Sequence, residues 1–533
     1  MTDGEETNDG YNLENIYKRG TYTMTNSSQF DYYGSINVSY TKSFGRHLVQ
    51  GIVGGELKET NSESDAYKTV GFLDDPLGYP SYAVQFDSYT GPSGSSSLSR
   101  SAGMFANFNY SWDNRYLIDL TGRIDGSSNF ASKQRSAPFW SAGVRWNIYN
   151  EKFMKTHGWF ENLAVRANIG TVGNQNFQLS QIMTLYNFLK MYDGVMGAEI
   201  MSIANPELKW QTTLNRNIGL EFSLLQGLVN LDFNYYSNIT KNNLTDIAIL
   251  PSTGFSTYKA NMGKVRNQGY EFSLSITPIK KNGWIVNAFV NGAHNKNKLL
   301  NISDALRDYN EVIKENQTAH LNYAGYTQLE RIFLFEEGQS LNSIFAVRSM
   351  GIDPGTGQEI FVTADGVQTF QWNAADQVVV GNTEPTLKGY FGLNVDYKRW
   401  SFGANFQYSF GADRYNKTLY EKIEGGNFAQ NADRRALTQR WTKPGDVAKY
   451  RGYGNTSQLK PTSRFVQKDD FLSMTSARLS YTLNANDLQA LGISLLKFTL
   501  STNDLFYVST IKQERGLSYP FARTFYFSLQ ANF

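Results

Sequence analysis

The stretch Arg123-Ile124-Asp125-Gly126-Ser127-Ser128 places a cation, a carboxylate and two hydroxyls within six residues, which are the ingredients of a phosphate cradle or a nucleophile site. It has neither a P-loop lysine nor the glycine frame of a nucleophile elbow, so neither chemistry is built there. The spacing reads instead as a strand end with Arg123 and Asp125 on one face, followed by a tight Gly-Ser turn. Gly351-Ile352-Asp353-Pro354-Gly355-Thr356-Gly357 suggests a calcium loop, but only Asp353 and nearby Glu359 are acidic, so a Pro/Gly turn is expected. Cysteine is absent, and His47, His157, His294 and His320 form no metal-binding pair. No spacing identifies the paired carboxylates of a glycosidase, and no catalytic residue, metal or cofactor is expected. Rings remain: Tyr79, Tyr82, Phe86 and Tyr89 lie in the segment 61–101 beside the Gly-Ser run 91–99. Flat rings with polar neighbours suit sugar faces or peptide side chains, although packing onto a partner protein uses the same residues. Tyr82, Phe86, Tyr89, Arg123 and Asp125 are the candidate substrate contacts.

Composition narrows the class of protein that could position such residues. The 533 residues carry 50 Lys+Arg against 48 Asp+Glu, so there is no basic surplus to neutralise phosphates, and no nucleic-acid partner is expected. A 14% aromatic content excludes a disordered chain. No window approaches eighteen apolar residues, so no transmembrane helix is expected. The mean hydropathy of -0.44 suits a soluble protein, but a transmembrane β-barrel scores equally low because alternate residues face water. The opening Met1-Thr2-Asp3-Gly4-Glu5-Glu6 is acidic and does not resemble a signal peptide.

Period two dominates the chain. Met104, Ala106, Phe108, Tyr110 and Trp112 share one face, against Phe105, Asn107, Asn109 and Ser111 on the other. The same holds for Tyr116 to Asp125, for Trp400 to Phe410, and for Phe525, Phe527, Leu529, Ala531 and Phe533 at the end. A half-buried sandwich sheet alternates too, but runs of about 9 to 11 residues with aromatic ends match the length and girdles of membrane strands. About fifteen strands are expected, near 30–44, 47–60, 102–113, 115–126, 138–149, 160–171, 207–225, 228–249, 265–279, 284–298, 387–398, 400–412, 469–483, 491–507 and 519–533. Turns such as Gly45-Arg46, Asp113-Asn114, Gln226-Gly227, Lys280 to Gly283 and Lys398-Arg399 alternate with long connections at 61–101, 172–206, 250–264, 299–386 and 413–468. Short turns on one rim and long loops on the other are the organisation of an outer-membrane barrel. Parity then puts residues 1–29 in an extracellular segment and 30–533 in the barrel. An odd strand number leaves open edges that something else must close.

Several motifs also carry a resemblance. Gly122-Arg123-Ile124-Asp125-Gly126-Ser127-Ser128-Asn129-Phe130, Trp140 to Trp146, Glu151 to Lys155, Gly170 to Gln175, Asn205 to Thr213, Gly263 to Glu271, Gly351 to Pro354 and Val379 to Pro385 follow one another in order. Together they resemble the C-terminal half to two-thirds of a SusC/RagA-type TonB-dependent outer-membrane transporter of Bacteroidetes-type bacteria. The resemblance implies an all-β, 22-stranded antiparallel barrel with a plugged lumen. On that basis a separate chain is expected to carry the plug and about seven strands, and a SusD-like lipoprotein to capture oligosaccharide or peptide at the surface. TonB would act through the plug chain, outer-membrane lipid would surround the wall, and Phe525, Phe527, Leu529 and Phe533 would form the signal read by the barrel-assembly machinery. A passive porin-like channel and an extracellular glycan-binding protein are the alternatives. Lys209-Trp210 reads as an interfacial anchor at the start of a strand, and Asn291 to Asn297 as a loop or lumen wall.

Overall fold

The computed structural model describes residues 20–72, 79–87, 92–129, 135–154, 159–174, 184–192, 195–202, 205, 208–248, 254–255, 257–261, 263–304, 306–308, 310–311, 334–426, 433–455, 459–484, 488, 492–511 and 523–533. Its long strands are β1 (Thr21–Phe44), β2 (His47–Phe72), β3 (Ser93–Trp112), β4 (Tyr116–Ser127), β5 (Ser136–Asn147), β6 (Phe160–Asn174), β7 (Gln211–Leu224) and β8 (Val229–Lys241). They continue with β9 (Gly263–Lys281), β10 (Trp284–Ile302), β11 (Leu387–Tyr397), β12 (Trp400–Phe410), β13 (Phe471–Asn484), β14 (Leu495–Asn503) and β15 (Phe525–Asn532). Each pairs antiparallel with the next in sequence. Ala83–Phe86 and Tyr507–Ser509 add short segments to the same sheet, which counts seventeen strands. The connections explain the meander. Asp113-Asn114 and Asn282-Gly283 hold positive φ at consecutive positions, the geometry of two-residue turns that match strand twist.

Two differences from the sequence reading concern the ends of strands. β1 begins at Thr21, so the last part of the expected loop 1–29 is strand; β2 reaches Phe72 and β3 starts at Ser93, which shortens the expected loop 61–101. Ser, Thr, Asn and acids dominate both faces there, with pairs such as the Ser27 and Ser64 hydroxyls at 2.8 Å. Backbone pairing therefore continues where the apolar alternation, the only signal available in sequence, has stopped. The sheet also keeps the open edges expected from an odd strand number. Among the described residues β1 and β15 do not pair, so the sheet is open. All of β15 and nearly all of β1 are exposed.

One face is apolar for a defined height. On β2 it runs through His47, Val49, Gly51, Val53, Gly55 and Leu57, opposite Trp112, Tyr110, Phe108, Ala106, Met104 and Ala102 of β3. Ten residues of tilted strand span about 25 Å, the height of a barrel's lipid band. Immediately above, the exposed pair Glu59 and Arg100 meets at 2.7 Å. The short-turn end of this face carries rings in contact: Trp112 on Tyr116 (5.6 Å), Tyr116 on Trp146 (6.3 Å), Trp284 on Tyr397 (4.1 Å) and Trp400 on Tyr481 (4.7 Å). Phe525, Phe527, Leu529 and Phe533 continue the apolar face on the last strand, all exposed.

Candidate functional site: the polar face

The opposite face is a charged and amide-lined wall organised by register. Arg145 of β5 stands directly across from Arg166 of β6, and Arg166 across from Gly219 of β7. Like charges facing each other are unfavourable, and Glu221, two residues along β7, resolves the conflict. Arg145 donates to its two oxygens at 2.9 and 2.6 Å, and Arg166 donates to it at 2.6 Å. Arg166 also reaches Asn234 at 2.7 Å and Asp232 at 3.3 Å on β8. Gly219 permits this, because a Cβ there would collide with the Arg166 side chain. Beside the network lies a depression of about 460 Å³ lined by Asp232, Asn234, Glu271, Asn291, Lys388, Tyr390 and Gln407. Carboxylates, an ammonium, amides and a phenol can hydrogen-bond sugar hydroxyls or peptide groups. Among the described residues no cluster of His, Asp or Glu could hold a metal.

Arg123 and Asp125 lie on this same face. Arg123 donates to Asp125 at 2.6 and 2.7 Å and pairs with Glu56 of β2, while its guanidinium covers the Phe105 ring at 5.8 Å. Asp125 is 8% exposed, so the two residues chiefly satisfy each other. Tyr82 closes the single turn Pro80–Tyr82, and Phe86 pairs with Thr69 and meets Tyr67 edge-on at 5.9 Å; both rings are exposed. Thr69 lies thirteen residues beyond Glu56 on β2, about 40 Å of strand, so the structure does not gather Phe86 with Arg123 and Asp125. Tyr89 lies outside the described residues.

The sequence did not reveal Arg145, Arg166, Glu221 and Asp232. Each is an ordinary polar-face charge, and only the register between strands makes them a cluster. Trp210 is corrected: it is 5% exposed with its ring 5.7 Å from Phe139, so it is a packed residue rather than an interfacial anchor. The expected strand 228–249 stops at Lys241, and Leu244–Ala248 forms a separate hairpin with Thr257–Asn261. The Asn291 to Asn297 segment is strand: Asn291, Asn295 and Asn297 lie on the polar face, His294 and Lys296 on the other.

Above the long-loop rim, the connections after β10 and β12 fold together as a crown. Ser343–Ile352 pairs with Glu359–Val362 and Gln377–Asn382. Glu359 of the first connection binds Arg464 of the second at 2.9 Å, and Glu424 binds both Arg464 (2.5 Å) and Arg451 (3.0 Å) with no exposed side-chain surface of its own. Burial works against the Arg464 charge, yet the two carboxylates hold its pKa above the ordinary guanidinium value. Trp441 donates to the Pro354 carbonyl at 2.8 Å, fastening the turn at Asp353. Asp353 accepts from Thr356 Oγ1 (2.6 Å) and from the Thr356 and Gly355 amides, which draws its carboxyl below the usual range. The Pro/Gly turn expected from the sequence is therefore present, with Glu359 committed elsewhere.

Comparison with known proteins places this geometry. Residues 2–327 match the family described as TonB dependent receptor-like, beta-barrel. TonB-dependent receptor P39 of Formosa agariphila is 26% identical over 517 residues, covering 90% of this chain and 49% of that protein. TonB-dependent receptor SusC of Bacteroides thetaiotaomicron is 26% identical over 429 residues, covering 76% of this chain and 40% of SusC. The chain thus spans about half the length of the curated relatives it matches. In fold it is similar to the structure of the RagAB peptide transporter, with a TM-score of 0.80, 24% identity, and coverage of 92% of this chain and 53% of that one.

Proposed function

Because this chain belongs to the TonB dependent receptor-like β-barrel family and is a SusC- and RagA-like outer-membrane protein, we propose that it is most of the barrel wall of an importer. In this reading it moves oligosaccharides or peptides across the outer membrane together with a SusD-like lipoprotein. The observation that carries the reading is a single antiparallel sheet, apolar for about 25 Å on one face and polar on the other, with both edge strands bare. Unpaired backbone groups in lipid cost several kcal/mol each, so further staves complete the ring. A 22-stranded wall needs about seven more, on a segment or separate chain that also bears the plug on which TonB acts. Residues 1–29 and the long connections face the cell exterior, and the exposed apolar face of β15 is the strand that the assembly machinery reads. The polar face supplies the path. Its amides, charges and rings, with Tyr82, Phe86, Tyr89, Arg123 and Asp125 as further contacts, hold the solute without chemical change.

The test is uptake by cells of labelled oligosaccharides and labelled peptides, with and without a protonophore, in strains with and without this protein. Uptake that requires the protein and stops when the proton-motive force is dissipated supports the reading. Protein-dependent uptake that continues unchanged identifies a passive channel instead.

A further inference from the structure

The apolar face ends differently in different sectors. On β10 it runs through Trp284, Val286, Ala288, Val290 and Gly292 and then turns to His294, Lys296 and Lys298. Lys296 lies twelve residues beyond the Trp284 ring, about 30 Å up the tilted strand and just above a 25 Å hydrocarbon band. Counted by register, the neighbouring strands change within about four residues of it: β7 at Arg216, β9 at Arg266 and Lys264, and β8 at Lys241. Register sets Lys241 directly across from Lys264, and Arg266 directly across from Lys298. Two like-charge cross-strand pairs in one patch are destabilising unless an anion lies between them. None of the six cations joins the ion pairs of the described residues, and the Nε of Arg266 is buried without a hydrogen-bond partner among them. Beside Arg216, the same face holds an apolar depression of about 470 Å³ lined by Ala142, Val144, Ala167, Ile169, Ile218 and Tyr235. Small alanines flanked by larger residues leave a furrow suited to an acyl chain.

We propose that β5 to β10 form a binding site for a phosphorylated glycolipid of the outer leaflet, of the lipid A type. One acyl chain lies in the furrow below Arg216, and the phosphates bridge the Lys241/Lys264 and Arg266/Lys298 pairs. The proposal rests on the apolar face being the lipid face. A membrane-embedded protein that ignores lipid phosphates would overturn it while leaving the transport reading intact; a protein that needs no detergent to stay in solution would overturn both.

The experiment uses the assembly as extracted from membranes, titrated in nanodiscs with bis-phosphorylated lipid A or with its dephosphorylated form, and followed by native mass spectrometry. The phosphorylated lipid is expected to bind at least a hundredfold more tightly. Each cation near a membrane surface is worth about fivefold in affinity, so Arg216→Gln weakens binding about fivefold, and Lys241→Gln/Lys264→Gln/Arg266→Gln/Lys298→Gln weakens it by two orders of magnitude or more. Arg100→Gln, on β3, leaves binding unchanged. Equal binding of the two lipids, or unchanged binding by the quadruple variant, overturns the proposal. Heat-shifted migration on gels reports folding, and if the quadruple variant fails that check, unchanged binding by Arg216→Gln decides against the site.

Discussion

Leu120→Arg tests which face meets lipid. Leu120 is 46% exposed on the apolar face, opposite Phe108 and Ala142. It lies four residues from Tyr116, and at about 3.3 Å per residue with a tilt near 40° this puts it about 10 Å above the aromatic girdle, close to the middle of a 25 Å band. An arginine at that depth costs about 2–4 kcal/mol. The matched variant Thr121→Arg lies on the polar face and forfeits the hydrogen bond from Asn107 at 2.8 Å, about 1 kcal/mol. Guanidinium unfolding of the membrane-inserted assembly, read by tryptophan fluorescence and heat-shifted migration, measures both. Equal losses, or an unaffected Leu120→Arg, would refute the face assignment. The alternation singles out Ala404 as readily as Leu120. However, Ala404 is 4% exposed between Leu393 and Ala477, so an arginine there adds overpacking and tests two things together.

Glu424→Gln leaves Arg451 and Arg464 buried with too little negative charge and should loosen the crown by about 3–5 kcal/mol; hydrogen exchange across Ser343–Ile352 checks it, and unchanged protection there counts against the ion hub. Gly219→Ala forces Arg166 from its place over β7 and should cost about 1–3 kcal/mol in thermal stability, whereas Gly143→Ala, with its nearest neighbour at 3.8 Å, should be close to neutral. The carboxyl of Asp353 titrates below its ordinary value, so its support of the turn is complete above pH about 4 and is lost as pH falls through the lowered value. Amide exchange at Thr356 should show that acid-side loss, and Asp353→Asn should abolish the pH dependence.

The sequence by itself determined the architecture. Strict alternation from Met104 to Trp112 and from Trp400 to Phe410 commits each residue to a face, because a strand's side chains alternate whatever it pairs with. Short turns of the Asp113-Asn114 kind force neighbours in sequence to be neighbours in the sheet, and the family resemblance followed from motifs in order. Where alternation stops, so did the reading: the serine-rich ends of β1 to β3 are held by backbone pairing that leaves no apolar trace. Register was decided only in three dimensions, since sliding one strand by two residues preserves every face yet changes every partner. For that reason Arg145, Arg166 and Glu221 became a network, Lys241 and Lys264 a facing pair, and Trp210 a packed residue, although nothing local marks them. The union of Glu359, Glu424 and Arg464 likewise joins residues 40 to 105 positions apart, and only the packing of two loops against each other brings Glu359 to the other two.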